Sequence, residues 1–348
     1  MFRPDRSELQ VIFTATLMGL LIGSAYTYVA YLSKPGADGQ LWLGAGIGAS
    51  IACLISYFEI IFVGRPESKI RQLPFWFSLI IRAVVHLEII YFSIHAWQII
   101  YRKITGIELQ IIDSDLNDTL MDLGFSMIIV LIIIFYMQMR LFIGSRTLRN
   151  LIVGRYSRPQ LEERVFLILD LVGSTKLAQE LGDVEFHKFL NRVFILADGP
   201  IHKHGGEVHS YVGDSVFATW PVTQNKSQNT RALKAAKDID AVIRGASDAI
   251  ERKFNTKPAV RIAIHKGPVV AGETGHRKRQ ITYLGNTVNL ASRIESLTKT
   301  GIGPYLASRE YLQVCDLPVG TGVEDLGEFD VKGAKAPIGI SRVYFEAI

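Results

Sequence analysis

Phe166-Leu-Ile-Leu-Asp-Leu-Val-Gly-Ser-Thr175 is the stretch on which the fold of this chain turns. Its apolar run, Val165 to Leu169, has no polar alternation and reads as a strand buried on both faces. The run ends in a carboxylate, Asp170. Gly173, Ser174 and Thr175 then open a helical pattern, so that free backbone N–H groups stand close to that carboxylate in a phosphate-friendly arrangement. A second aspartate, Asp214, sits in a Gly-Asp turn between strands expected at 207–212 and 215–220. Neighbouring strands bring both carboxylates to one sheet edge, where hard divalent cations take oxygen ligands. Two aspartates completed by substrate phosphates suit Mg²⁺ or Mn²⁺. Taken singly, Asp214 is an ordinary turn former and Asp170 an ordinary helix cap.

Outward from this stretch, short apolar strands alternate with helices. The pattern predicts a helix over about 174–203, a turn at Gly205-Gly206, a helix over 228–253 and a strand over 259–265. A turn at Lys266-Gly267, strands over 268–272 and 280–284 and a helix over 286–298 follow. The expectation is an α+β sandwich with helices over a mostly antiparallel sheet. Asn289 and Arg293 lie four apart on the last helix and share one face. An amide and a guanidinium there can orient a sugar or ring oxygen and neutralise charge on a phosphoryl group in transfer. A solvated helix face is the plainer reading of the same spacing.

The other half has a different composition. The 348 residues are 49% hydrophobic, mean hydropathy is +0.23, and the excess apolarity lies before residue 143. Val11–Leu32, Leu41–Val63, Phe75–Ile100 and Leu123–Phe142 are each long enough to cross a hydrocarbon core, which takes about 20 residues. Four spans agree with the charge bias. Arg3 and Arg6, then Arg65, Lys69 and Arg71, then Arg140, Arg146, Arg149 and Arg155 fall on one side, and Glu108, Asp113, Asp115, Asp118 and Asp122 on the other. The N-terminus and residues 164–348 are therefore expected in the cytoplasm, with an integral-membrane domain at 1–142 and a linker at 143–163. Within the spans, Glu59 and Arg82 stand at similar depths and invite pairing, while Arg82, His86 and Glu88 are candidates to line a ligand or proton-sensing cavity for an unidentified signal. In the linker, Leu148, Leu151 and Ile152 form a short amphipathic face, able to pack on its copy in a dimer or on the following domain. The formal charge of +5 does not mark a nucleic-acid binder, because no basic stripe with interleaved aromatics accompanies it. Two cysteines, Cys53 and Cys315, make neither a disulfide framework nor a thiolate metal site.

Four ordered motifs, Phe166–Thr175, Gly206-Glu-Val-His-Ser-Tyr-Val-Gly-Asp214, Arg261-Ile-Ala-Ile-His-Lys-Gly267 and Gly285-Asn-Thr-Val-Asn-Leu-Ala-Ser-Arg-Ile-Glu295, resemble the catalytic domain of class III nucleotidyl cyclases over about residues 160–345. The resemblance implies a ferredoxin-like catalytic domain working as a head-to-tail homodimer with its sites at the interface. Asp170, Asp214 and the Leu171 carbonyl of one chain would hold two metals. Asn289 and Arg293 would come from the other chain. Gly173, Ser174 and Thr175 would cradle phosphate, Arg261 would contact it, and so would a lysine near the C-terminus, Lys332 or Lys335. ATP would be converted to 3′,5′-cyclic AMP and pyrophosphate. At the positions that typically choose the base, Ser210 stands where adenylate cyclases carry lysine, and Thr282 matches a known adenylate variant; Ser174 replaces a usual phenylalanine. Hydroxyls donate and accept, so GTP as substrate stays open. A degenerate cyclase-like signalling or dimerisation module is the reading from another class. Retention of Asp170, Asp214, Asn289 and Arg293 speaks against it.

Overall fold

The computed structural model describes residues 6–33, 41–65, 68–106, 131, 134–135, 139, 143–277, 279–334 and 336–346. They fall into two compact units, Met1–Phe142 and Ile143–Ile348.

In the first unit, α1 (Arg6–Ser33) lies against α2 (Leu41–Phe58), which continues as one π-helical turn, Glu59–Val63, and is followed by α3 (Lys69–Gln72) and α4 (Phe75–Thr105). Glycines let α1 and α2 touch. A Cβ on Gly23 would sit 2.0 Å from the Gly44 carbonyl oxygen, and one on Gly48 would sit 2.1 Å from that of Gly19. This small-xxx-small spacing on both helices brings the backbones together. On the other side of α2, Trp97 of α4 packs on Gly46 and donates from Nε1 to Ser50 Oγ at 3.1 Å. Among the described residues three helices, at Glu8–Val29, Leu41–Val63 and Phe75–Thr105, are long and apolar enough to cross a membrane. Of the fourth expected span, 123–142, only Leu131, Ile134, Phe135 and Met139 are described, all helical, so that expectation falls mostly outside the described residues.

The expected intramembrane pair is present. Arg82 and Glu59 are both buried and joined twice, Nε to Oε1 at 2.9 Å and Nη2 to Oε2 at 2.6 Å. His86, one turn beyond Arg82, brings Nε2 to 3.1 Å from Glu59 Oε1. Glu88 does not join them: it lies half a turn round α4 and is exposed, because residues two apart on a helix do not share a face. The π turn at Glu59 widens the helix at this point, a local change common where a helix is adapted to a particular contact.

The second unit begins with α5 (Ser145–Ile152) and is built on an eight-stranded sheet. Its strands are β1 (Gln160–Leu171), β2 (Glu207–Val212), β3 (Ser215–Pro221), β4 (Val260–Thr274), β5 (Gln280–Leu284), β6 (Tyr305–Ser308), β7 (Thr321–Phe329) and β8 (Ile338–Phe345). The order is β2-β3-β1-β4-β6-β8-β7, with β5 paired to β4, and among the described residues only the β4–β6 pair is parallel. The α+β expectation of helices over a largely antiparallel sheet is met.

The uninterrupted apolar run of β1 has its cause in the two faces it buries. Val165, Leu167, Leu169 and Leu171 join the large core with Phe189, Val193 and Ala197 of α7 (Asp183–Lys203). Phe166 and Ile168 face the other way, onto Ala291 of the helix Asn286–Leu297. Strand side chains alternate between faces, so Asp170 follows Phe166 and Ile168 to that second side.

Two expectations change. The helix at 174–203 is broken into α6 (Ser174–Leu181) and α7 by Gly182 at φ 74°, a conformation costly for side-chain-bearing residues. No turn occurs at Lys266-Gly267: β4 runs straight through, pairing Lys266 with Val165 and Gly267 with Arg164. Gly267 serves close approach, since a Cβ there would lie 2.6 Å from Thr287 Oγ1. Strands β6, β7 and β8, with the short helix Arg309–Leu312, extend the sheet beyond the elements expected from the pattern.

His265 on β4 is buried, with Nδ1 2.8 Å from Ser308 Oγ, and burial pushes its imidazole down to about 4 against a smaller upward pull from Glu310. The unfolded chain, with a histidine near 6.5, binds the proton first, so this group's stabilisation is whole above about pH 6.5 and is lost as pH falls toward 4. The loss is about 1.4 kcal/mol per pH unit in that window. Melting the full chain between pH 7 and 5 should show a fall that His265→Asn flattens; equal falls in both proteins would rule this out.

Candidate active site

Asp170, at the end of β1, is paired in register with Ser215 on β3 and with Arg261 on β4. The residue is 3% exposed. Ser215 Oγ donates to Oδ1 at 2.9 Å, Lys299 Nζ lies 3.2 Å from Oδ2, and Arg261 Nη1 lies 4.0 Å from the same oxygen. Asp214 occupies the hairpin between β2 and β3 beside Gly213 at φ 60° and is half-buried. It directly precedes Ser215, the partner of Asp170, so the hairpin brings the two carboxylate positions to one edge. Leu171 buries its side chain in the core.

Gly173, in the left-handed conformation at φ 72°, caps α6 and has no side chain to satisfy that helix start. Ser174 and Thr175 form its first turn, with Thr175 exposed. The first N–H groups of a helix have no internal acceptor, and here they stand three to five residues beyond Asp170.

The helix Asn286–Leu297, hereafter α10 after α8 (Lys226–Asn229) and α9 (Arg231–Phe254), buries Thr287, Ala291, Ile294 and Glu295. At 100° per residue these define the side packed on β1 and β4, and Asn289 and Arg293 point to the opposite side. Asn289 is exposed. Arg293 Nη1 is buried with no hydrogen-bond partner among the described residues. The loop carrying Lys332 covers this outer side: Asn286 Nδ2 donates to the Gly333 carbonyl at 2.7 Å, and a Cβ on Gly333, at φ 85°, would meet Arg293 Nη1 at 2.7 Å. Within one chain, the structure therefore gathers Asp170, Asp214 and Arg261 into one group and Asn289, Arg293 and Lys332 into another, separated by the body of α10. Lys335 lies outside the described residues.

Ser210 is on β2, where the register with β3 shifts between Val208 and Ser210. Thr282 is on β5, its Oγ1 2.6 Å from Thr274 Oγ1. The residues next to them meet: the His209 and Tyr283 rings are 4.9 Å apart. The Arg164 guanidinium lies 4.7 Å over Tyr283 and donates from Nη2 to the Tyr156 hydroxyl at 2.9 Å. Tyr156 is 2% exposed and packs with Leu151, Ala271 and Ile281. The segment before β1 is thus built into the same unit, against the strands that carry Ser210 and Thr282.

Lys299, and the place of Glu295 beside Asp170, escaped the motif reading. Lys299 Nζ bridges Asp170 and Glu295 Oε1, the latter at 3.1 Å. Burial pushes the Glu295 carboxyl up, Lys299 pulls it down, and Asp170 pushes it up further. Their i, i+4 spacing was the signal in the sequence, but only the packing of α10 on β1 shows that it leads to Asp170. The donor set is all oxygen and anionic, and it attracts two cationic side chains, which fits Mg²⁺ or Mn²⁺. Among the described residues no cluster of three or more His, Cys, Asp or Glu side chains forms a closed metal cage.

Residues 158–343 match the family of adenylate and guanylate cyclase catalytic domains, and the chain belongs to that family. Adenylate cyclase 2 of Rhizobium meliloti is 37% identical over 201 residues, 58% of this chain and 55% of that protein. An adenylate cyclase of Mycobacterium tuberculosis is 32% identical over 154 residues, 44% of this chain and 33% of its own length. The chain spans about half the length, or less, of these curated relatives. A bacterial light-regulated adenylyl cyclase superposes with a TM-score of 0.54 at 22% identity, over 66% of this chain and 65% of that one, and shares the fold.

Proposed function

We propose that this protein is a membrane-anchored adenylate cyclase that converts ATP to 3′,5′-cyclic AMP and pyrophosphate in sites shared between two copies of the chain. The observation that carries this reading is the division of site residues by α10. Asp170 and Asp214 lie toward the sheet, while Asn289 and Arg293 face outward, with a buried Arg293 nitrogen unpartnered among the described residues. A head-to-tail homodimer supplies each half with its complement.

In this reading Asp170, Asp214 and the Leu171 carbonyl hold two Mg²⁺ or Mn²⁺ ions. Bound there, such ions make the ribose 3′-hydroxyl more acidic and neutralise the triphosphate. Asn289 orients the ribose so that its 3′ oxygen faces the α-phosphorus. Arg293 stabilises negative charge on the phosphoryl oxygens as the bond to pyrophosphate breaks. Amides at Gly173, Ser174 and Thr175, with Arg261 and Lys332 or Lys335, bind the departing phosphates. Ser210 and Thr282 meet the base. Thr282 and the names of the relatives support adenine, while the Ser210 hydroxyl, in place of a lysine, can serve either purine and leaves GTP open.

The apolar helices anchor the unit, and the basic residues flanking them support a cytoplasmic catalytic domain and four spans. The buried Glu59–Arg82–His86 group supports a sensing role for the membrane domain toward a partner or ligand not identified by its residues. Full-length protein reconstituted with Mg²⁺ or Mn²⁺ and given ATP or GTP should release cyclic AMP and pyrophosphate, with ATP preferred. Folded dimers that yield no cyclic product from either nucleotide would end the enzyme reading; preference for GTP would move the assignment to guanylate cyclase.

A further inference from the structure

We propose that the cleft between the end of α7 and the start of α9 is a binding site for a phosphate-bearing anion, separate from the catalytic centre. The cleft has a volume of about 470 Å³, and its walls include His202, Lys203, His204, Ser227, Arg231 and Lys234. Its positive charges are not equivalent. Lys203 Nζ and His204 Nε2 both reach Asp238 Oδ2, at 2.7 and 2.9 Å. Burial raises the Asp238 carboxyl, but these two partners outweigh it and hold the group below its ordinary range. Asp238 therefore balances Lys203.

Arg231 and Lys234 have no acidic partner among the described residues and are exposed. Three apart at the start of α9, they project from one face. The Arg231 guanidinium leans over the Gly205 turn, where a Cβ would lie 3.5 Å from Nη1 and where φ is 70°. Ser227 and Gln228 add neutral donors at the same wall. A planar guanidinium fork, a mobile ammonium and neutral donors around an open cleft match a tetrahedral, multiply charged oxyanion.

The site is remote from Asp214. Gly205 precedes β2, whose six residues carry the chain about 20 Å before the hairpin is reached. This is also the edge at which the chain enters the unit, since Thr147 of α5 hydrogen-bonds Glu207, the first residue of β2. The phosphate can come from solution or from the headgroup of an anionic lipid.

Hydrogen exchange on the full chain distinguishes the two sources. One arm uses detergent-solubilised protein with inorganic phosphate against chloride at equal ionic strength. The other uses nanodiscs of phosphatidylcholine with and without phosphatidylglycerol. Amides in 200–206 and 226–235 should exchange about tenfold more slowly at ten times the dissociation constant. Protection by inorganic phosphate alone assigns a soluble anion, protection by phosphatidylglycerol alone a headgroup, and protection in both arms a site open to either. Arg231→Gln with Lys234→Gln should abolish the effect while cyclase activity persists, and Arg231→Lys with Lys234→Arg should retain it. No protection in either arm, or equal protection in the Gln variant and the parent, overturns the proposal.

Discussion

Asp170→Ala and Asn289→Ala chains, each inactive alone, should recover about a quarter of parental activity when coexpressed at equal levels, because half of the dimers are mixed and one of two sites in each is intact. Alone, each variant should lose about a thousandfold in turnover, the scale seen when a group that stabilises the transition state is removed. Ser215, Lys299 and Arg261 contact the Asp170 carboxylate, and none of the three can supply an anionic ligand in its place. Asn289 lies on the outer side of α10, away from the buried residues Ala291 and Glu295, so no movement of its own side chain brings it to its own Asp170. The measurement is cyclic nucleotide formation by the coexpressed mixture, with different tags on the two chains; mixed dimers purified through both tags should reach about half of parental activity, one site in two being intact. Mixed dimers with no recovery would show that the site is not shared.

The second large effect belongs to the membrane half. Glu59→Leu leaves the Arg82 guanidinium, 0% exposed, without the carboxylate that accepts from both Nε and Nη2. Breaking a buried pair from one side costs about 3–5 kcal/mol, whereas replacing both members with apolar groups of similar volume is often close to neutral. Glu59→Leu should therefore lower the thermal midpoint of the detergent-solubilised chain sharply. Adding Arg82→Leu should restore most of the loss, with the His86 ring left beside Phe58, 5.8 Å away. If the double variant melts as low as the single one, the pair is not the source of the cost.

Legibility differed from element to element for physical reasons. Strands 207–212 and 280–284 were readable to the residue because turn formers bound them and their side chains alternate. The beginning of β1 was not. Gln160, Leu161, Glu162 and Glu163 extend it, paired with residues 268–271 of β4, yet their polar character hides a strand that only its partner stabilises. Gly267 misled in the opposite direction. Glycine after lysine looks like a turn, but its missing Cβ makes room for Thr287, a neighbour twenty positions away. β7 and β8 form an antiparallel pair at the sheet's far edge with few of the motif residues that made the preceding strands stand out.

What the sequence determined by itself was the chemistry: two carboxylates at strand ends, an amide and a guanidinium one helical turn apart, and apolar runs of membrane length with a carboxylate and an arginine at matching depth. These follow from covalent order, because local spacing alone places side chains on a strand end or a helix face. Tertiary structure decided which of them meet. It put Lys299 and Glu295 beside Asp170, turned Asn289 and Arg293 to the far side of α10, joined His86 but not Glu88 to the Glu59–Arg82 pair, and set Tyr156 against Arg164 and Tyr283. Each of these depends on how one element packs against another distant in the chain, and that is fixed by the burial of both faces of the sheet together rather than by any local pattern.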